Sequence, residues 1–335
     1  MGKRKLTRRQ AWRIKKIQDE RRKRAEKQEQ LSVEALAGGE LGAEQEGLVI
    51  AHYGNQVEVE SGAMIARCHL RANLDSLVTG DQVVWCAGDS IGVVVARQPR
   101  QSELLRPDPY GAMKAVAANI DQIVLVVAPL PEPHAGTIDR YLVAAEAVAI
   151  EPVILLNKSD LVSADNREEI DTLLAPYSDL GYQVLQASCT HQDGLTALRQ
   201  TLENRTSVFV GQSGVGKTSL VNALLPEVNA RVGALSEIRQ EGVHTTTTAQ
   251  LFHLPDGGTL IDSPGIREFG LWHMEPAQIE QGFKEFEPLL GHCKFRDCKH
   301  DQEPGCALLA AEASGEVSER RINSYRQILA SLEDH

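Results

Sequence analysis

Several absences narrow what this chain can be. No apolar run approaches the roughly 20 residues needed to cross a bilayer, so a membrane-spanning helix is excluded. The N-terminus is basic but has no apolar stretch behind its charges, so we do not read it as a secretory signal. Cysteine is scarce: six residues in 335, at positions 68, 86, 189, 293, 298 and 306, three of them crowded near the C-terminus. That is too few for a disulfide framework and suits a reducing compartment with one metal site, so a cytoplasmic protein is expected. No extended coiled-coil pattern is present, and a monomer is expected.

At 335 residues the chain exceeds one hydrophobic core and implies two or three domains. With 42% hydrophobic and 24% charged residues it has the composition of a soluble globular protein. Charge is divided unevenly. Residues 1–30 carry 13 Lys/Arg against 4 Asp/Glu, a surplus of nine positive charges, so with −11 overall the remainder sums to −20. A basic arm on an acidic body points to a nucleic-acid partner. Residues 1–35 show no pattern that could support a core and are expected to be disordered.

Short alternating segments then follow, from Leu48-Val49-Ile50 to Gly92-Val93-Val94-Val95, separated by Gly-Asn, Ser-Gly and Thr-Gly-Asp turns. Five strands at this spacing predict a small antiparallel β-barrel, an OB-fold, within residues 36–103. Its surface is not evidently basic or aromatic, so oligonucleotide binder and structural spacer both stay open. Cys68 and Cys86 sit in strand patterns and read as core residues. Residues 98–118 read as a proline-rich connector, with residues 36–46 as a linker before the barrel. From Ile120 onward strands alternate with amphipathic helices, which predicts a mostly parallel α/β sheet covered on both faces. Ligands in such sheets bind at the carboxyl ends of the strands.

One of those strands, Val208-Phe209-Val210, runs into Gly211-Gln212-Ser213-Gly214-Val215-Gly216-Lys217-Thr218, followed by Ser219. This matches the phosphate-binding pattern G-x-x-x-x-G-K-[ST] in its required strand–loop–helix setting. The glycines let backbone N–H groups turn toward a polyphosphate, and Lys217 reaches the outer phosphates as a catalytic point charge. Thr218 offers a hydroxyl to Mg²⁺. After the Val153–Leu156 strand comes Asn157-Lys158-Ser159-Asp160. Asp160 can accept two hydrogen bonds from the ring N–H and amine of guanine, which adenine cannot supply, so the nucleotide is read as GTP. Asp262-Ser263-Pro264-Gly265 follows Leu260-Ile261, placing Asp262 near Mg²⁺ and the Gly265 N–H near the γ-phosphate. Between them lie His244 and Thr245 to Thr248. One threonine is placed to cap Mg²⁺; which of the four stays open, and Thr246 is carried into the site. Ala187-Ser188-Cys189 ends another strand and could offer backbone N–H groups to the guanine oxygen.

These elements stand in an unusual order, since Asn157 precedes Gly211 by 54 residues and ordinary GTPases have the phosphate loop first. All the loops project from strand ends of one sheet, so the order is that of a circularly permuted GTPase, residues 104–274. Position 266, where many GTPases carry a water-orienting glutamine, is isoleucine. His244 is therefore the candidate to orient water, with slow intrinsic hydrolysis that a partner increases. In the last segment, residues 275–335, Cys293-x₄-Cys298-x-His300-x₅-Cys306 gathers three thiols and an imidazole in 14 residues, a donor set suited to closed tetrahedral Zn²⁺. His292 is an alternative ligand, and Lys294, Arg296 and Lys299 between the ligands are plausible phosphate contacts. A helix carrying Ile322, Tyr325, Ile328 and Leu332 is expected to pack over this knuckle.

With basic arm, barrel, permuted GTPase and Cys₃His knuckle in this order, the chain resembles the RsgA (YjeQ) family of bacterial GTPases. G-x-S-G-V-G-K-[ST], N-K-S-D, H-T-T-T, D-S-P-G and the knuckle carry the resemblance over nearly the whole length. It implies a late-maturation factor that binds the 30S ribosomal subunit, both 16S rRNA and ribosomal proteins, and whose GTP hydrolysis is stimulated there. It further implies that barrel and zinc module grip rRNA and protein, that zinc is held by Cys293, Cys298, His300 and Cys306, and that His244 is catalytic. Gly214 stands where potassium-activated relatives often carry asparagine, so potassium dependence is not indicated. A metabolic kinase would lack the guanine-reading Asp160, an ordinary translation factor would keep its phosphate loop near the N-terminus, and an inert RNA scaffold would not need Lys217, Thr218 and Asp262.

Overall fold

A computed structural model describes residues 41–226 apart from 72, 73, 75, 109, 110 and 192, together with 249–262 and 274–333. The basic arm, His244, Thr245 to Thr248, Ser263, Pro264, Gly265 and Ile266 lie outside the described residues. The chain divides into two compact units, one ending at Arg100 and one beginning at Gln101.

The first unit is a five-stranded barrel of β1 (Glu44–Tyr53), β2 (Gln56–Ser61), β3 (Met64–Leu70), β4 (Gln82–Cys86) and β5 (Gly92–Arg97). The strand order is β1-β2-β3-β5-β4, and β1 also pairs with β4 to close the barrel. All pairings are antiparallel except β3 with β5, the OB-fold arrangement. Alternation explains the core: Val57 and Val59 point inward and pack with Val49, Cys68, Val83, Trp85 and Val94. Gly47 has no substitute, since a Cβ there would lie 2.4 Å from Val59 Cγ1. The fully buried Asp81 accepts the Val78 N–H at 2.7 Å and pairs with Arg100 Nε at 2.7 Å, fixing the end of the unit. β1 begins inside the stretch read as linker, because Glu44 to Leu48 pair with β4 while their charged side chains stay at the surface.

In the second unit, β8 (Gln122–Val127), β9 (Glu151–Leu156), β10 (Gln183–Gln186), β11 (Thr206–Val210), β12 (Gln250–His253) and β13 (Thr259–Asp262) form a sheet in the order β10-β9-β8-β11-β13-β12. All pairs are parallel except β12 with β13. Both faces are covered, as uninterrupted apolar strands require. Val124 and Val126 of β8 join Leu198 and Leu202 of α3 (Thr196–Leu202) and Leu220 and Leu224 of α4 (Lys217–Leu224). The intervening Ile123 and Leu125 are equally buried, and α1 (Ala135–Ala147) packs on β8 and β9 through a face that buries Ile138 and Leu142. α2 (Arg167–Asp179) packs on β10.

The proline-rich connector is not irregular. Its residues form a separate hairpin, β6 (Glu103–Pro107) with β7 (Met113–Ala118), burying Leu104, Ala117 and Ala118. Pro107 stands at the strand's last position, opposite Met113, where a missing N–H costs little.

The C-terminal segment adds α5 (Pro276–Gln281), a 3₁₀ turn (Lys284–Leu289), α6 (Ala307–Ser314) and α7 (Glu319–Glu333). Phe283, Phe286 and Tyr325 form its aromatic centre, with ring centroids 4.7–5.8 Å apart. Arg321 of α7, 2% exposed, joins this segment to the sheet domain. Its Nη1 donates to Asp139 Oδ1 of α1 at 2.6 Å and its Nε to Glu285 Oε1 at 2.5 Å. The Tyr177 hydroxyl of α2 donates to the same Asp139 oxygen at 2.7 Å. Removing one partner of such a set leaves buried charge uncompensated. Arg321→Ala is expected to destabilise the second unit by about 3–5 kcal/mol in urea denaturation, whereas Arg321→Met combined with Asp139→Leu and Glu285→Leu, which strands no charge, recovers much of that loss.

Candidate functional site

The carboxyl ends of the parallel strands β10, β9, β8, β11 and β13 lie along one edge, so their following loops are neighbours whatever their order in the chain. Gly211 leaves β11 with φ of +133°, and a Cβ there would lie 2.3 Å from the Val126 carbonyl oxygen of β8. Gly216 has φ of +94°, and its Cβ would lie 2.4 Å from Asn157 Nδ2. Both positions demand glycine because other backbone or side-chain groups pass against the loop. Gly216 begins α4 without a side-chain cap, so the first N–H groups of the helix are available to an anion. Thr218 and Ser219 are exposed there. Lys217 Nζ donates to the carbonyls of Gly211 and Gln212, each at 2.6 Å.

Asn157 and Lys158 bind this loop from β9. Asn157, 2% exposed, donates from Nδ2 to the Val215 carbonyl at 2.8 Å, leaving its buried Oδ1 without a hydrogen-bond partner among the described residues. Lys158, in a left-handed conformation, donates from Nζ to the carbonyls of Gly214 at 2.7 Å and Leu130 at 2.8 Å. Asp160 is exposed and accepts the Ser188 hydroxyl at 2.5 Å, and Ser188 is itself 2.8 Å from Thr190 Oγ1. That hydrogen bond from Ser188 is the main reason the Asp160 carboxyl is held below its ordinary range. An ionised carboxylate only accepts hydrogen bonds, the role that guanine's ring N–H and amine require. Ser159 N–H donates to the Ala187 carbonyl at 3.0 Å, tying the β9 and β10 loops together.

The expectation that Ala187, Ser188 and Cys189 present N–H groups to a base is corrected for two of them. The Ala187 N–H donates to Leu156 O at 2.9 Å and the Ser188 N–H to Gly194 O at 3.0 Å. The contribution of Ser188 is its hydroxyl, which the sequence reading missed; a serine ending a buried strand was the available signal. Asp262 ends β13, which pairs with β11 in register Val208↔Ile261, so it stands beside the strand that leads into the phosphate loop. Gly265, Thr246 and His244 lie outside the described residues.

In the C-terminal segment the ligand atoms of Cys293, Cys298, His300 and Cys306 all lie within 4.8 Å of one another. His300 Nδ1 is 3.2 Å from Cys306 Sγ and 3.6 Å from Cys293 Sγ. Three thiolates and an imidazole so gathered fit a closed tetrahedral zinc site. His292 is exposed and outside this cluster. Behind His300, its Nε2 is 3.4 Å from Glu280 Oε1, which also accepts the Tyr325 hydroxyl at 2.9 Å, so a carboxylate orients the imidazole. Glu303 accepts the N–H groups of Lys299, Asp301 and Gln302, which holds its carboxyl down to about 2 and shapes the loop between the ligands. Neither Glu280 nor Glu303 was signalled by the ligand spacing.

Comparison with known proteins identifies the family. The family model for the RsgA GTPase matches residues 97–272. Proteins named "Small ribosomal subunit biogenesis GTPase RsgA" from Pseudomonas fluorescens Pf0-1 and Azotobacter vinelandii are 62% and 61% identical, covering 100% and 99% of this chain and 99% and 98% of their own. The crystal structure of YjeQ from Thermotoga maritima superposes with a TM-score of 0.72 at 31% identity, over 88% of this chain and 100% of that one. YloQ, described as a circularly permuted GTPase, gives 0.70 at 29% identity, over 87% and 96%. No helix among the described residues is long and apolar enough to cross a membrane.

Ser188→Ala is expected to weaken GDP binding roughly 3- to 10-fold, the worth of one hydrogen bond to a charged group's holder, in isothermal titration. Because the carboxyl is depressed in the folded protein, its contribution is present above the ordinary Asp range and is lost as pH falls through the lowered value. The same variant should therefore move the acid limb of GDP binding to higher pH.

Proposed function

Because the chain belongs to the RsgA GTPase family, and is a GTP hydrolase of small-subunit biogenesis, we propose that it binds the 30S subunit late in maturation and hydrolyses GTP there under stimulation by the subunit. The observation that carries the GTP part of this reading is the pair of loops joined through Asn157 and Lys158, with Asp160 beside them accepting the Ser188 hydroxyl. In this account Asp160 accepts the guanine ring N–H and amine, and the Lys158 stem lies over the base. Lys217 leaves the carbonyls of Gly211 and Gln212 for the β- and γ-phosphate oxygens, which also take N–H groups from the start of α4. Thr218, Asp262 and Thr246 would hold Mg²⁺, which neutralises phosphate charge when bound. The Gly265 N–H meets the γ-phosphate. His244 orients the water that attacks phosphorus, giving GDP and inorganic phosphate, since Ile266 has no group for that task.

The Cys₃His cluster serves as a structural zinc site, and the exposure of Lys294, Arg296 and Lys299 in its loop supports a role for them in contacting RNA phosphates. The barrel and the basic arm contribute further contacts with 16S rRNA and ribosomal proteins. The protein acts as a cytoplasmic monomer.

Hydrolysis of GTP and ATP, measured with and without purified 30S subunits, tests this. We expect slow GTP turnover alone, a rise of at least about tenfold with subunits and little ATP turnover. His244→Ala should lose stimulated hydrolysis by roughly 100-fold while binding GTP normally. No response to subunits would refute the proposed trigger, and normal turnover by His244→Ala would remove histidine from the mechanism.

A further inference from the structure

The loop after β10 carries a second hydroxyl two residues beyond Ser188. At that spacing a serine oxygen is able to accept the backbone N–H of the later residue, and the Thr190 N–H donates to Ser188 Oγ at 3.2 Å. The turn is also held from behind. The Ser188 N–H donates to Gly194 O at 3.0 Å, and a Cβ on Gly194 would lie 2.2 Å from the Ser188 carbonyl oxygen, so only glycine lets the chain close there. Ser188 is fully buried, while Thr190 stands at the surface beside it.

Counting hydrogens fixes the direction of the bond between the two side chains. Thr190 Oγ1 and Ser188 Oγ are 2.8 Å apart, so one of them donates to the other. A hydroxyl has one proton and two acceptor lone pairs. The Ser188 proton is committed to Asp160 Oδ1, and one Ser188 lone pair already takes the Thr190 N–H. The remaining lone pair takes the Thr190 hydroxyl proton. Donors therefore run in a chain from Thr190 through Ser188 to Asp160, and each bond in such a chain polarises the next. Ser188 is saturated by it: its proton cannot turn from Asp160 without meeting one of the two Thr190 hydrogens. Ser188, and Thr190 to a smaller extent, hold the Asp160 carboxyl below its ordinary range.

We propose that Thr190 is a positioning residue for guanine discrimination: it locks the Ser188 proton onto Asp160 and so fixes the plane of the carboxylate. The inference rests on the reading of Asp160 as the group that meets the guanine ring N–H and amine. Those two contacts make different demands. A single bond to the ring N–H tolerates a carboxylate that turns, whereas paired bonds to ring N–H and amine need both oxygens held in one plane. Loosening the carboxylate therefore costs a base with the amine more than a base without it. A threonine that only shaped the loop would affect both bases alike.

Affinities for GDP and IDP, measured by isothermal titration on the full zinc-loaded chain with Mg²⁺, separate the two roles. Thr190→Val keeps the side chain's shape and removes its hydroxyl. It is expected to lower the ratio of GDP to IDP affinity roughly 2- to 10-fold, while Thr190→Ser, which keeps the donor, holds the wild-type ratio. Combined with Ser188→Ala, Thr190→Val should lower the ratio by less than the product of the two single effects, because its route to Asp160 is already cut. A Thr190→Val variant that keeps the wild-type ratio, or losses that multiply in full, would overturn the role of Thr190 and leave Asp160 as the guanine reader. Equal binding of GDP and IDP by the wild-type chain would overturn both.

Discussion

Two side chains from one loop, Asn157 and Lys158, donate hydrogen bonds to the carbonyls of Val215 and Gly214 in another. Everything proposed for the nucleotide depends on that join. It places Asp160, proposed to read guanine, at a fixed offset from the N–H groups proposed to receive phosphate, although the loops are far apart in sequence. The join in turn constrains the phosphate loop, because a side chain at Gly216 would collide with Asn157 and one at Gly211 with β8. Asp160 is held chiefly by Ser188, so the β10 loop also belongs to the proposed base site. Three strand ends thus act as one rigid support, which is why a permuted chain order leaves the geometry intact.

The C-terminal segment is attached to that support by a different kind of interaction. Arg321 is nearly fully buried between Asp139 and Glu285, and Asp139 also receives Tyr177. Such clusters add little net stability over apolar packing, but each member is costly to lose. Their value here is specificity of position: α7 cannot slide along α1 without stranding a charge. The knuckle, with Glu280 shared by His300 and Tyr325, is anchored to the same helix.

Much of this was legible in the sequence, for definite reasons. Uninterrupted apolar strands such as Ile123 to Val127 and alternating ones such as Gln56 to Ser61 announce different burial, and they separate the α/β sheet from the barrel. The phosphate loop and N-K-S-D could be placed at strand ends because glycine, lysine and aspartate there serve one chemistry. What escaped depends on contacts between distant residues. Prolines 107 and 109 suggested an irregular connector, yet Pro107 merely ends a strand whose partner lies across the turn. Ser188 was read for its N–H, which Gly194 takes, while its hydroxyl found a carboxylate 28 residues away. Glu280 and Arg321 carry no local signal, since an exposed helical charge and a buried one look alike until the partner helix is known.

The central claim is that Asp160 reads guanine while Asn157 and Lys158 hold the reading loop to the phosphate loop. Its most direct test is the affinity of the full chain for GDP, IDP and ADP under identical Mg²⁺ conditions. IDP lacks only the exocyclic amine, so loss of one charge-assisted hydrogen bond predicts binding roughly 10- to 100-fold weaker than GDP. ADP, which offers neither donor, should bind weaker still. Equal affinity for GDP and IDP would contradict the account, because a carboxylate held ionised at the base edge would then be reading nothing.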